Sequence, residues 1–443
     1  MNILENFNHL FTLFLVFPFI IGLGIYLTLK LRFIQFTGLK LSLSCLVRKN
    51  AQGAGNISRF EAVSTVLAGN FGTGNISGMA VAVATGGPGA LVWMWVMAFF
   101  GAVIQYASCY LGVLYRKKTS EGEYVGGPMY YLKNGLGYKK LAIIFSVCTL
   151  FGALTVGNFA QINSIILPLE KIGGNPLYCS LGIAALVGIV IFGGIQRIAV
   201  LASYLVPFKA LLYLGTALVI IVLHYERVVP AFELMFQSAF DWSSLIGGVT
   251  GAGVLRAMTT GFDRGLFATD AGTGIVPILQ ASARSENPVI DAISTLITPI
   301  LVMIVCTTTG LVLILTGAWQ QPGLQSTNMV THAFSEGLGS SIGGYIVMIS
   351  LVLFAYTTIL AWFYCGEKAL GFLIGSEKAK IFRFIYLLAI PIGSLVHVSL
   401  IWTLADISIT FMLIPNLIGV LKLAHLVIRA TDAHQATEVV ENT

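Results

Sequence analysis

Residues 64–89, STVLAGNFGTGNISGMAVAVATGGPG, set a polar, glycine-rich centre between apolar flanks. Gly69, Asn70, Gly72, Thr73, Gly74, Asn75, Ser77 and Gly78 crowd ten positions. Each glycine weakens a helix by about 1 kcal/mol relative to alanine. Four so close together predict a helix that breaks inside an apolar span. Lipid offers no partner to the freed N–H and C=O groups, so a break belongs where they line a protected cavity. The half-helix after the break presents free N–H groups at the positive end of its dipole, a site for a carboxylate. The N–H groups of Thr73 and Gly74 lead that assignment. The half before the break presents carbonyls from Ala68 to Phe71, which suit a hard cation such as Na⁺. GxxxG spacing at Gly74 and Gly78 has a plainer use in close helix packing, but packing has no need of Asn70, Thr73 or Asn75. The GTG triplet is not a nucleotide loop, for no P-loop lysine follows and no strand precedes.

Two other apolar stretches carry polar groups. In AYTTILAW (355–362), the adjacent hydroxyls of Thr357 and Thr358 either bond back to their own helix or complete a cation shell. Trp362 follows Thr358 by one turn and either floors a pocket or packs. In GNFAQINSI (157–165), Asn158, Gln161 and Asn163 are costly against lipid and should face the protein interior. Asn158 and Gln161 share a face, to bind a substrate ammonium or to bond between helices. No pattern supports hydrolytic or redox catalysis, and His224, His332 and His397 are isolated. The broken span has no carboxylate after Glu61, and the span of Thr357 has none until Glu367. Proton coupling needs a titratable group at the midplane, so their absence favours Na⁺ over H⁺. Asp263, Asp270 and Asp291 read as gate or loop charges near the cytoplasmic side, within reach of Arg256 or Arg264.

These residues need a scaffold, and the composition says which. The 443-residue chain is 56% hydrophobic and 10% charged, against roughly 25% charged in soluble domains. Its apolar runs are near 20 residues long and do not alternate, as helices and not barrel strands require. About eleven spans follow: 8–29, 62–84, 89–115, 141–167, 177–193, 199–223, 245–261, 289–317, 342–366, 381–401 and 405–427. Basic residues after the first, third, fifth, seventh and ninth spans all fall on one side; only Lys171 and Arg227 fall on the other. The N-terminus is therefore expected outside and the C-terminus in the cytoplasm. The net charge of +6 reflects this topology, and nothing points to nucleic acid. Lys209 is expected to snorkel from the cytoplasmic end of its span. The six cysteines are scattered, with no metal-ligand spacing and no expected disulfide. The polar tail after residue 430 is expected to be mobile.

Setting aside 1–60, an extra N-terminal span and cytoplasmic loop, the chain divides into two sets of five spans. These are 61–223 and 245–427, with an external connector at 224–244 and a cytoplasmic tail at 428–443. Each set opens on a glycine-interrupted span: GNFGTGNISG (69–78) in the first and GGVTGAG (247–253) in the second. Paired broken helices at matching places point to an inverted-repeat transporter. Residues 122–137 read as an interfacial helix, and 325–338 as either a lid or a connecting helix.

GTGNISG, GGPGALVWMW (86–95), GEYVGGPMYY (122–131), RGLFATDAGTG (264–274) and FAYTTILAW (354–362) occur in this order. Together they resemble the alanine or glycine:cation symporter family over about residues 60 to 420. The resemblance implies a leucine-transporter-like fold: all-α, a 5+5 inverted repeat plus one N-terminal helix. It implies no enzyme but Na⁺-coupled uptake of small neutral amino acids, chiefly alanine and glycine, by a monomer in the plasma membrane of a bacterium or archaeon. It places the substrate carboxylate on Thr73 and Gly74, and Asn158 and Gln161 on the matching third core helix. Trp362 borders the side-chain pocket, and Asn70 lies beside it. Na⁺ falls to the carbonyls of Ala68 and Phe71 with Thr357 and Thr358. A sixth-core-helix break from Val249 to Gly253, including Thr250 and Gly251, offers carbonyls to the ammonium. Ala268, Thr269 and Asp270 depart from the family's usual serine, asparagine and glutamate, which bears on inner gating. Two alternatives stand: a proton-coupled carrier of the same fold, and a channel or sensor derived from it.

Overall fold

The computed structural model describes residues 10–47, 53–171, 173–240, 251–285, 287–396 and 398–441. The long helices are α1 (Thr12–Lys30), α4 (Ala90–Leu114), α5 (Lys139–Glu170), α7 (Gly194–Leu223), α11 (Pro288–Leu315), α13 (Ile342–Ile374) and α15 (Val398–Glu441). Among the described residues, seven helical stretches are long and apolar enough to cross a membrane. Between them lie the shorter helices α2 (Arg59–Asn70), α3 (Ser77–Gly86), α6 (Pro176–Ile191), α8 (Val228–Phe240), α9 (Gly251–Thr269), α10 (Ile275–Gln280), α12 (Ser326–Gly337) and α14 (Phe382–Gly393).

The short helices pair up as broken spans. α2 starts on a capping box, where Ser58 and Glu61 satisfy each other's backbone N–H groups, and runs to Asn70. The chain then unwinds through Phe71 and Gly72, makes one tight turn at Thr73–Asn75 and restarts as α3. The second pair is α9 and α10. Of the expected break at 247–253, residues 247–250 lie outside the described residues and 251–253 are helical; α9 runs from Gly251 to Thr269, and the described interruption lies at 270–274. Gly272 and Gly274 sit at φ +90° and +92°, and Asp270 at +50°, conformations no helix accommodates. Glycines 251 and 253 lie at the start of α9, the far end from the interruption.

α4 packs along α9, and α13 lies between α5 and α7, so helices surround the two interruptions. Residues 61–83 and 265–283 are almost entirely buried. Outward-facing Phe14, Tyr204, Leu211 and Leu388 are each more than half exposed, as a lipid-facing surface requires. One end of the bundle carries a two-stranded hairpin, β1 (Lys117–Lys118) with β2 (Tyr124–Val125). Glu123 and Glu367 pair there with Lys368, Arg383 with Glu367, and Lys380 with Glu121. The expected helix at 122–137 is thus a strand followed by helical turns from Pro128. The tail expected to be mobile continues α15 as helix to Glu441.

Candidate functional site

The α2–α3 break leaves a row of carbonyls with no helical partner, and each finds one. Ala68 O accepts from Thr358 Oγ1 at 2.9 Å and Thr357 Oγ1 at 3.4 Å, and Gly69 O from Thr358 Oγ1 at 3.2 Å. Asn70 O and Gly72 O accept from Asn75 Nδ2 at 2.6 and 3.3 Å. Phe71 O accepts from Lys209 Nζ at 3.0 Å. The four expected cation ligands, Ala68, Phe71, Thr357 and Thr358, are therefore brought together. Lys209 joins them by a second bond to Thr357 Oγ1. The snorkelling reading of Lys209 is overturned: α7 begins at Gly194, the residue falls at mid-helix, and its side chain is fully buried.

On the opposite side of the break, Thr73 N–H donates to Gln161 Oε1 at 3.0 Å, and Thr73 Oγ1 to the same oxygen at 3.1 Å. The expected carboxylate position thus holds an amide oxygen. Gln161 Nε2 donates to Val156 O at 3.0 Å. That carbonyl is available because α5 widens into a π-helical stretch at Thr155–Phe159. A Cβ on Gly72 would stand 3.1 Å from Gln161 Oε1 and Thr358 Oγ1, and one on Gly74 would stand 2.7 Å from Phe267 Cδ1. Both positions need glycine because side chains from three other helices close on the backbone there.

The second break faces the first. Asn70 Nδ2 donates to Thr269 O at 2.8 Å, tying the end of α2 to the end of α9. Asn416 Nδ2 holds Gly272 O at 2.7 Å. Asp270 is buried, and its Oδ1, like Asn70 Oδ1, has no hydrogen-bond partner. RGLFATDAGTG, expected on the cytoplasmic side, ends α9 and forms the interruption, with residues 265–274 buried beside the first break. The expectation that the centre lacks titratable groups is overturned with it, since Lys209 and Asp270 are both there. Phe267 lies over Gly74 and packs at a tilt against Trp402 with ring centroids 5.0 Å apart. Arg264, one turn earlier, stands over both rings and pairs with Asp406. Asp263 lines the same small cleft as Asp406. Asp291 pairs instead with Arg59, 2.9 Å away.

The other expected site residues lie elsewhere. Asn158 Nδ2 donates to Tyr386 O at 2.9 Å, toward α14. Trp362 packs against Gly157 and Gly152 of α5. Gly251 opens α9, away from the interruption, and Thr250 lies outside the described residues. Sequence reasoning missed Lys209, Phe267 and Asp270 as site residues. A lysine in an apolar run was the available signal for the first, and the positive-φ-tolerant DAGTG string for the last.

This arrangement matches known proteins. The model of the sodium:alanine symporter family covers residues 1–442. An uncharacterized transporter of Haemophilus influenzae is 42% identical, over 93% of this chain and 91% of its own. The sodium/alanine symporter AgcS of Methanococcus maripaludis is 38% identical, over 94% of this chain and 92% of its own. The crystal structure of MhsT in complex with L-phenylalanine superposes with a TM-score of 0.61 at 14% identity, covering 84% of this chain and 89% of that one. That likeness shows the fold: leucine-transporter-like, all-α and polytopic, with paired broken helices at its centre.

Proposed function

The chain belongs to the sodium:alanine symporter family, and from that membership we propose that it imports small neutral amino acids, alanine or glycine, together with Na⁺ by alternating access. Secondary transport of amino acids is the family's activity; the ion and the substrate are the finer reading. One observation carries the substrate class. The backbone N–H of Thr73, at the positive end of a half-helix, already holds an amide oxygen where a carboxylate would bind. Gln161, Thr358 and Phe267 close on the backbone at Gly72 and Gly74, and the limit to a substrate of alanine's size is taken from the family. The free oxygens of Asp270 and Asn70 suit the substrate's ammonium.

Uptake of labelled alanine into proteoliposomes is expected to rise with an inward Na⁺ gradient. A membrane potential adds about 2.3 kcal/mol per charge per 100 mV, more than tenfold in accumulation. A second reading, coupling to protons, is favoured by the buried carboxylate of Asp270 at the α9–α10 interruption. Uptake driven by a pH gradient and indifferent to Na⁺ would select it.

The Arg264–Asp406 pair and the Phe267–Trp402 ring contact lie to one side of the proposed pocket, as a gate would. Asp406→Ala leaves a mostly buried guanidinium without its carboxylate, a loss of about 3 kcal/mol in comparable pairs. The expected result is a lower Tm and an alanine affinity reduced at least tenfold in equilibrium binding. Unchanged affinity would remove the pair from the gate.

A further inference from the structure

The oxygens that a co-transported sodium would use between α2 and α13 are not free. Lys209 Nζ lies 3.0 Å from Phe71 O, is bonded to Thr357 Oγ1, and stands over the rings of Phe71 and Phe354 at 5.7 and 4.8 Å. The ammonium brings one positive charge and up to three donors to the carbonyl end of a half-helix, where the dipole favours a cation. The carbonyl accounting closes without an ion. Leu67 O takes the Phe71 N–H at 2.8 Å, and Ala68, Gly69, Asn70, Phe71 and Gly72 each accept from a side chain. No acidic side chain is paired with Lys209 among the described residues. The carboxylates of the helices packed on α7 bond elsewhere: Glu61 to Ser58, Asp291 to Arg59, Glu336 to His332 and Glu367 to Arg383.

We propose that the Lys209 ammonium is a tethered cation that replaces sodium at this site, locking the unwound end of α2 to α13, so that no Na⁺ binds among Ala68, Phe71, Thr357 and Thr358. A second monovalent cation there would meet a fixed like charge within the same set of oxygens. The proposal rests on the transport reading for what the site is for, and it moves any co-transported Na⁺ to another place in the molecule.

The test counts bound ²²Na⁺ on the purified full chain by scintillation proximity, with alanine binding measured in parallel. Lys209→Ala is expected to bind one more Na⁺ per chain than the native protein, and Lys209→Ala with Thr358→Ala to lose it. Equal counts in the native chain and Lys209→Ala would overturn the proposal. Should Lys209→Ala fail to fold, Thr358→Ala alone decides. Na⁺ count and affinity within twofold of native are expected, and a lost ion or a tenfold weaker one overturns the proposal. Alanine that binds neither form would reject the transport reading instead, with the sodium counts still deciding the role of the lysine.

Discussion

Replacing Gln161 by glutamate is expected to abolish alanine binding while leaving a folded protein. The native amide oxygen sits on Thr73 N–H and Oγ1 at 3.0 and 3.1 Å. A substrate carboxylate arriving at that N–H has only to displace a neutral acceptor. Glutamate puts a charged carboxylate there first. Two carboxylates about 5 Å apart repel by about 3 kcal/mol at an effective dielectric near 20, over a hundredfold in affinity. The variant also turns the donor that served Val156 O into an acceptor, so a modest fall in Tm accompanies the loss. Equilibrium binding of labelled alanine, with thermal unfolding as the control for folding, makes the measurement. An affinity within threefold of native would show that the substrate carboxylate does not use Thr73.

The second large effect is on stability. Gly157→Ala places a Cβ 2.2 Å from Trp362 Cβ and 2.6 Å from its Cγ. Neither contact involves the free end of a flexible side chain, so α5 and α13 must separate. Overpacking of this kind costs about 1–3 kcal/mol, sometimes more. Separation also pulls Gln161, one turn along α5, away from Thr73. The expected outcome is a Tm lowered by several degrees together with weakened alanine binding. Gly182→Ala in α6, where a Cβ would meet nothing within 4 Å, is the control, with a Tm expected unchanged or slightly raised. An unchanged Tm in Gly157→Ala would mean the two helices are not packed as described.

Both predictions depend on contacts between residues far apart in the chain, and that marks the limit of what the sequence makes legible. Hydropathy identifies a polytopic helical protein, because lipid tolerates only helices and closed barrels, and long apolar runs without alternation fit helices alone. The break at 69–78 was legible because clustered glycines and short polar side chains cannot sustain a helix. Glycine counting did not reveal the interruption at 270–274; the expected break at 247–253 lies largely outside the described residues. Glycine is tolerated near the start of α9, whereas the DAGTG turn is fixed by the positive φ of Asp270, Gly272 and Gly274. Trp362 carried two readings because helical spacing gives a direction and no neighbour; its neighbours are Gly157 and Gly152.

The sequence by itself determined the all-helical membrane architecture and the first unwound span. Those follow from local energetics, the backbone's need for partners and the weakness of glycine in a helix. Only the tertiary structure decided that Gln161 holds Thr73, that Asn70 ties the first interruption to Thr269 at the second, and that Lys209 bonds to Phe71 O and Thr357. A lysine's stem reaches several ångströms from its helix axis. Whether it turns to the membrane surface or inward to a carbonyl depends on which helix lies beside it, and no local pattern records that.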